Sequence, residues 1–313
     1  VLREEEIMND ATIGSPGRRS VLAMLGGVAA VGLVPARRAQ ARSTAVSALV
    51  FDGDTLVIAG AQVRRLSNGV SVLPAPRAAI RALACHPARP GRIFAALEGG
   101  GLDRSDTGGR TWRAASGGLP RAQVTALAVA AGAPDTVYAV VAGDGLWRSE
   151  DAGGTWAFVM DRPWIAGAER EVLTLASVDL ATGMGGIWIY AGTERGLARV
   201  PDCFCRWQDV VAGDAMDALV AGTPPAPEAP LPPDEPVTAL VSALAVPERL
   251  YAALPSGLWA SADGGVIWHR AFDLHATALA VHPTDPTHIA AITAAGVMTS
   301  HDGGATWTTL TAL

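Results

Sequence analysis

Ser149-Glu-Asp-Ala-Gly-Gly-Thr-Trp156 is the stretch on which the reading of this chain turns, because the chain writes it three more times. The other copies are Ser105-Asp-Thr-Gly-Gly-Arg-Thr-Trp112, Ser261-Ala-Asp-Gly-Gly-Val-Ile-Trp268 and Ser300-His-Asp-Gly-Gly-Ala-Thr-Trp307. A phrase that recurs along one chain signals a repeat architecture. Its template is Ser-x-Asp-x-Gly-x-Thr-Trp, and each residue type has a local reason. A short Asp in a tight turn accepts bonds from nearby backbone N–H groups, and Gly adopts angles that other residues resist. Ser and Thr add hydrogen bonds across the turn. Trp begins the next strand with a large apolar body to pack. The phrase therefore predicts a stapled β-hairpin corner. Its structural residues are Ser149, Asp151, Gly153, Thr155 and Trp156; Ser300, Asp302, Gly304, Thr306 and Trp307; Ser261, Asp263, Gly265 and Trp268; and Ser105, Thr111 and Trp112.

Working outward, a Gly precedes each Trp by 11 residues: Gly101, Gly145, Gly257 and Gly296. The same alignment exposes a decayed fifth copy, Gly196 to Trp207, which keeps Asp202 and Trp207 but loses Ser, Gly and Thr. A sixth unit, from about Ser43 to Pro76, keeps only strand patterning, with Asn68-Gly69 as its hairpin turn. Each unit opens on a small apolar strand: Val46 to Val50, Arg81 to Ala84, Val124 to Ala128, Val172 to Ala176, Val237 to Val246 and Ala276 to Val281. A turn such as His86-Pro or His282-Pro follows, then a second strand such as Thr136 to Val140 or Ile187 to Ala191. Four strands per unit of roughly 40 to 50 residues is the pattern of a propeller blade. The expectation is an all-β propeller of six four-stranded blades, with seven as the alternative.

This pattern resembles the Asp-box, or BNR, repeat of the sialidase-like β-propellers. The copies ending at Trp156 and Trp307 match every defined position; Thr107 stands where Asp belongs before Trp112, with Asp106 displaced by one, and Ile267 replaces Thr before Trp268. The resemblance implies that loops between blades, and those joining strands two and three, share one face. That face would carry Glu98, Asp144, Arg162, Trp164, Glu169, Arg170, Glu171, Glu194, Arg195, Asp273 and His275. Within it, Arg162, Trp164, Arg170, Asp144, Glu194 and Arg195 are the candidate ligand- or partner-binding residues, with Trp164 read either as an exposed platform or as buried under its own loop. Sialidases use an Arg-Ile-Pro motif and a Tyr nucleophile. This chain lacks the motif, and its Tyr138, Tyr190 and Tyr251 fall at one second-strand position shared with Phe94 or Ile289, which reads as core. No catalytic residue and no metal ligand is assigned, and no cofactor is called for. Photosystem assembly factors of the same repeat class imply that such rings serve as non-enzymatic scaffolds.

Composition is that of an ordinary globular chain: 313 residues, half of them apolar, net charge −6. Mild acidity and the lack of a basic stripe argue against nucleic acid. The 24 basic residues are all Arg, so phosphate-loop and Schiff-base lysines are excluded. Residues 1–41 read as an address. Arg18-Arg19 precedes the apolar run Val21 to Val34, and Ala39-Gln40-Ala41 resembles a cleavage site, the layout of a twin-arginine export signal. Fourteen apolar residues fall short of the roughly twenty that an ordinary span needs, so no stable transmembrane span is expected after cleavage. Met8 reads as the more natural start. The mature chain, residues 42–313, is expected in the periplasm or outside the cell, carrying 19 Arg (24 − 5) against 26 acids (30 − 4).

Two intervals between repeat tryptophans are long. Trp156 to Trp207 spans 51 residues, with the excess around Val159 to Glu171; Trp207 to Trp268 spans 61, with a Pro-rich insertion at about 213–236. Asp52-Gly-Asp54, His86 and His282 read as turn residues, and Cys85 as a buried strand-end thiol. Cys203 and Cys205 lie inside the decayed corner, where a disulfide, a free pair or a metal contact are all open. The functional expectation is a binding, scaffold or assembly module for a protein or glycan partner; the alternatives are a carbohydrate-active hydrolase, whose two carboxylates must face each other across a bond, and a purely structural repeat.

Overall fold

The computed structural model describes residues 46–165, 167–180, 186–211, 220–222 and 227–311. The export-signal reading of 1–41 and much of the Pro-rich insertion lie outside these residues. The described chain is a six-bladed β-propeller. Each blade is an antiparallel meander with its strands in chain order, over residues 46–73, 80–114, 124–161, 172–201, 239–272 and 276–311. The first strands contact one another in cyclic order, and blade 6 returns to blade 1. All six line one central cavity. Five blades have four strands. Blade 4 shows three among the described residues, with one bridge between Arg199 and Gln208 at the place of the fourth.

The core lies between blades. The second strands Ile93–Leu97, Ile289–Thr293 and Thr55–Gly60 are almost wholly buried, as short strands covered on both faces must be. Tyr138, Tyr190, Tyr251 and Phe94 occupy one equivalent position and are buried. The Tyr190 hydroxyl donates to Gly264 O and that of Tyr251 to Pro286 O, both at 2.8 Å and both in the next blade. These tyrosines are fasteners between blades. In blade 6 the register places Ala290, not Ile289, at this position, because Ile289 pairs with Ser300 just as Val137 pairs with Ser149. The strand expected over 237–246 is also shorter: Ala239–Ala243 turns at once into Val246–Leu254.

The repeat phrase folds into one corner four times. Ser Oγ accepts the N–H of the conserved-position Gly at 2.8 Å in Ser105 and Ser149, and at 2.9 Å in Ser261 and Ser300. It donates to the Asp carboxylate at 2.8 Å (Asp151), 2.7 Å (Asp263) and 2.8 Å (Asp302). That carboxylate takes the backbone N–H just before the Trp, at 2.8 Å from Thr155, 3.0 Å from Ile267 and 2.8 Å from Thr306. The corner before Trp112 has Thr107 at the Asp position, as its sequence reads. Thr107 Oγ1 takes the carboxylate's place and accepts Thr111 N–H at 2.9 Å, while Asp106 turns outward to Arg92, Arg104 and Arg113.

Candidate functional site

Loops sort onto two faces. Corners sit with the turns between strands one and two, as the bond from Gly108 N to Gly91 O shows. The connections between blades and the turns between strands two and three lie at the opposite ends of the same strands. On that second face the long connection from blade 3 to blade 4 forms a short hairpin, Trp164–Ile165 against Ala168–Glu169. Trp164 is 67% exposed at its edge, which decides between its two readings.

Ion pairs brace this hairpin. Arg162 binds both Glu169 and Glu171, and Glu171 holds its guanidinium above the ordinary arginine range. Arg170 reaches Glu194 at 3.6 Å, and its side chain donates to Ile165 O at 3.1 Å. Gly143 N–H donates to Glu171 at 3.4 Å and Glu194 N–H to Glu171 O at 3.3 Å. Four of the six candidate residues are thereby gathered: Arg162, Trp164, Arg170 and Glu194. Asp144, beside Gly143, accepts the Trp147 indole N–H at 2.6 Å and serves its own turn. Arg195 points to Asp234, in the segment before blade 5, whose neighbour Glu235 accepts Ser256 N–H at 2.8 Å. Asp273, paired with Arg270 at 2.6 Å, and His275 lie apart, on the blade 5 to blade 6 connection. Glu98 lines the central cavity.

The cavity, of about 550 Å³, was not singled out from the sequence, although the signal was there. Aligning the first strands puts Leu49, Leu83, Leu127, Leu175, Leu240 and Leu279 at one position, and together they form an apolar belt. Two residues earlier stand Ser47, Arg81, Thr125, Leu173, Thr238 and Thr277. Three of the four hydroxyls there serve the seams, while Thr277 bonds Ile292 O within its own blade. Ser47 donates to Ile80 O, Thr125 to Val172 O at 3.0 Å and Thr238 to Ala276 O at 3.2 Å, each in the next blade. Glu98 is the one carboxylate among the lining residues. A belt of leucines with a single acid offers apolar contact and no opposed acid pair.

On the corner face the structure gathers side chains that are scattered in sequence. His282, His288 and His301 form a stack, with ring centroids 5.2 Å and 4.0 Å apart, and Phe51 of blade 1 packs edge-on against the first two. Cys203 and Cys205 are joined in a disulfide. The Cys85 thiol, pushed up to about 12 by burial, donates to Phe51 O at 3.1 Å.

No family model matches the chain, and no curated protein matches it. Solved structures do. The GH74 xyloglucanase from Xanthomonas campestris aligns with a TM-score of 0.51 at 19% identity, over 83% of this chain and 45% of its own. YCF48 bound to D1 peptide aligns at 0.52 and 16%, over 86% and 79%. The Cps50 (Swd1) β-propeller domain of Myceliophteria thermophila aligns at 0.50 and 15%, over 82% of each chain. This chain spans less than half the length of the GH74 structures it resembles. At such identities the likeness shows the propeller fold, which these hydrolases share with proteins that bind partners.

Proposed function

We propose that the chain is an exported, non-enzymatic propeller of the Asp-box (BNR) class that binds a protein or glycan partner through the face carrying Trp164. One observation carries the reading: a two-thirds-exposed Trp held out on a hairpin whose charges are spent on bracing it. A rigid aromatic anchor ringed by polar groups is the composition of a binding hot spot. Arg162 and Arg170 pair with Glu169, Glu171 and Glu194, leaving a net charge of about −1, so they position the Trp and rim the contact. The likeness to YCF48 bound to D1 peptide supports a peptide or protein partner, and the twin-arginine-like segment supports export. The Cys203–Cys205 bond suits an oxidising compartment. Among the described residues no helix is long and apolar enough to cross a membrane.

The hydrolase alternative draws on the GH74 likeness. Against it stands the single carboxylate of the cavity, since glycoside hydrolysis places two acids roughly 5–10 Å apart. The test is co-purification from the envelope fraction of the native host, comparing wild type with a Trp164→Ala, Arg195→Ala double variant. A protein or glycan recovered with wild type and lost from the variant is expected. Equal recovery, or turnover of aryl-glycosides or xyloglucan by the purified wild type, overturns the reading.

A further inference from the structure

The geometry points to a site for one divalent transition cation of the zinc class, held by Asp285, His288 and His301 on the corner face of blade 6. One possible ligand atom from each residue lies within 4.8 Å of the other two. Two of the residues come from the turn between strands one and two, and the third from the Ser300–Trp307 corner. Nothing in the spacing of 285, 288 and 301 marks them as a set. The blade fold brings them together because its first turn and its corner occupy the same end of the sheet.

The donor set selects the ion. Two imidazoles and one carboxylate suit Zn²⁺, Co²⁺, Ni²⁺ or Cu²⁺, whereas Ca²⁺ and Mg²⁺ require six or more oxygens or retain their water. Two of the three ligands are held in place by hydrogen bonds. Asp285 Oδ1 accepts the Thr287 N–H at 2.9 Å and its hydroxyl at 2.7 Å, which orients the carboxylate. The Thr299 hydroxyl donates its proton to Ile289 O at 3.1 Å. It must therefore accept from His288 Nε2 at 3.2 Å, which leaves the lone pair on Nδ1. A metal-bound histidine whose other ring nitrogen is engaged by an outer partner is the usual arrangement. His301 is exposed and makes no hydrogen bond among the described residues.

His282 is not the fourth ligand. Its Nε2 faces Asp54 of blade 1 at 3.0 Å and its Nδ1 faces the Thr284 hydroxyl at 3.3 Å. The fourth position is left to water or an incoming donor. In a tetrahedral zinc site donor atoms stand roughly 3.4 Å apart, given Zn–N of about 2.0–2.1 Å. The separations here, all within 4.8 Å, are of that order, and rotation of the exposed His301 ring off its stack with His288 is the motion that would bring the three donors onto one ion. A bound ion would tie the corner of the last blade to its first turn, beside the Asp54–His282 contact where blade 6 meets blade 1.

The test is calorimetric titration of Zn²⁺ into the EDTA-stripped, dialysed full chain at pH 7.5, with His301→Ala and Asp285→Asn as variants. His301 is exposed, so its removal leaves the fold in place, and the metal-free melting temperature of each variant verifies this. One ion per chain is expected for wild type, with binding weakened at least about tenfold in each variant. Substituted Co²⁺ should give the intense visible bands of a tetrahedral site with nitrogen and oxygen donors. Absence of a one-to-one site in wild type, or affinity within twofold of wild type in His301→Ala, overturns the assignment. So does loss of binding in Cys85→Ser with His301→Ala unaffected.

Discussion

Blades 3 and 4 make the same corner by different means. In blade 3, Ser149 and Asp151 staple the turn with five side-chain hydrogen bonds, and the indole of Trp156 donates to Ala115 O of the preceding blade at 2.9 Å. In blade 4, Val200 stands where the Ser would be and is fully buried. Phe204 takes the Gly position at φ 52°, against 87° for Gly153. The Cys203–Cys205 disulfide spans the tip. Trp207 still donates to the preceding blade, to Asp161 O at 2.7 Å, so the outer anchor survives the loss of the staple. Among the described residues the fourth strand is one bridge. Asp202 retains its place in sequence but makes none of the staple bonds through its side chain. The staple fixes how the fourth strand leaves the corner; the Trp fixes how blades pack.

The largest expected effect comes from that division. Trp156→Ala removes a buried aromatic and should cost about 3–5 kcal/mol in urea unfolding. Trp207→Ala, at a half-buried position, should cost clearly less; equal costs would break the comparison. Next, Ser149→Ala leaves the buried Gly153 N–H without its acceptor, and about 1–3 kcal/mol should be lost. Reducing the disulfide should cost blade 4 about 1–2 kcal/mol, since it closes a very short loop. Thermal melts with and without reductant measure this, and a Cys203→Ser, Cys205→Ser variant should show no response.

The smallest effect is a pH dependence confined to the stapled corners. Backbone and hydroxyl donors lower Asp151 and Asp302 from 3.8 to about 2. Because the folded value is depressed, their stabilisation is present above about pH 4 and disappears as pH falls towards 2. An Asp151→Asn, Asp302→Asn variant should therefore be less stable than wild type near neutrality. The two melting curves should converge across that window. A gap independent of pH would assign the stapling to geometry alone.

Much of the fold was legible because the corner is a local structure. Its hydrogen bonds close within five residues, so Ser149, Asp151 and Thr155 announce themselves in order along the chain. The position of Ile289 was misread for the opposite reason: strand register depends on pairing across a hairpin, and one residue of slip exchanges Ile289 for Ala290. The Leu belt was present in sequence as six aligned strand starts but had meaning only once those strands faced a common axis. For the candidate site, the sequence supplied the loops and residue types. It could not say that Arg162 spends its charge on Glu169 and Glu171, or that Trp164 remains outside.

By itself the sequence determined the unit: four strands, a stapled turn and an anchoring Trp, repeated until six sheets were specified. Only the tertiary structure decided which residues of different units meet. Arg195 and Asp234 become neighbours where blade 4 meets the segment before blade 5, and His282 and Asp54 through ring closure of blade 6 on blade 1. The physical reason is one of range. Turn chemistry acts over a few residues and leaves a periodic trace, whereas contacts across a ring depend on how far each blade rotates from the last, which no single repeat records.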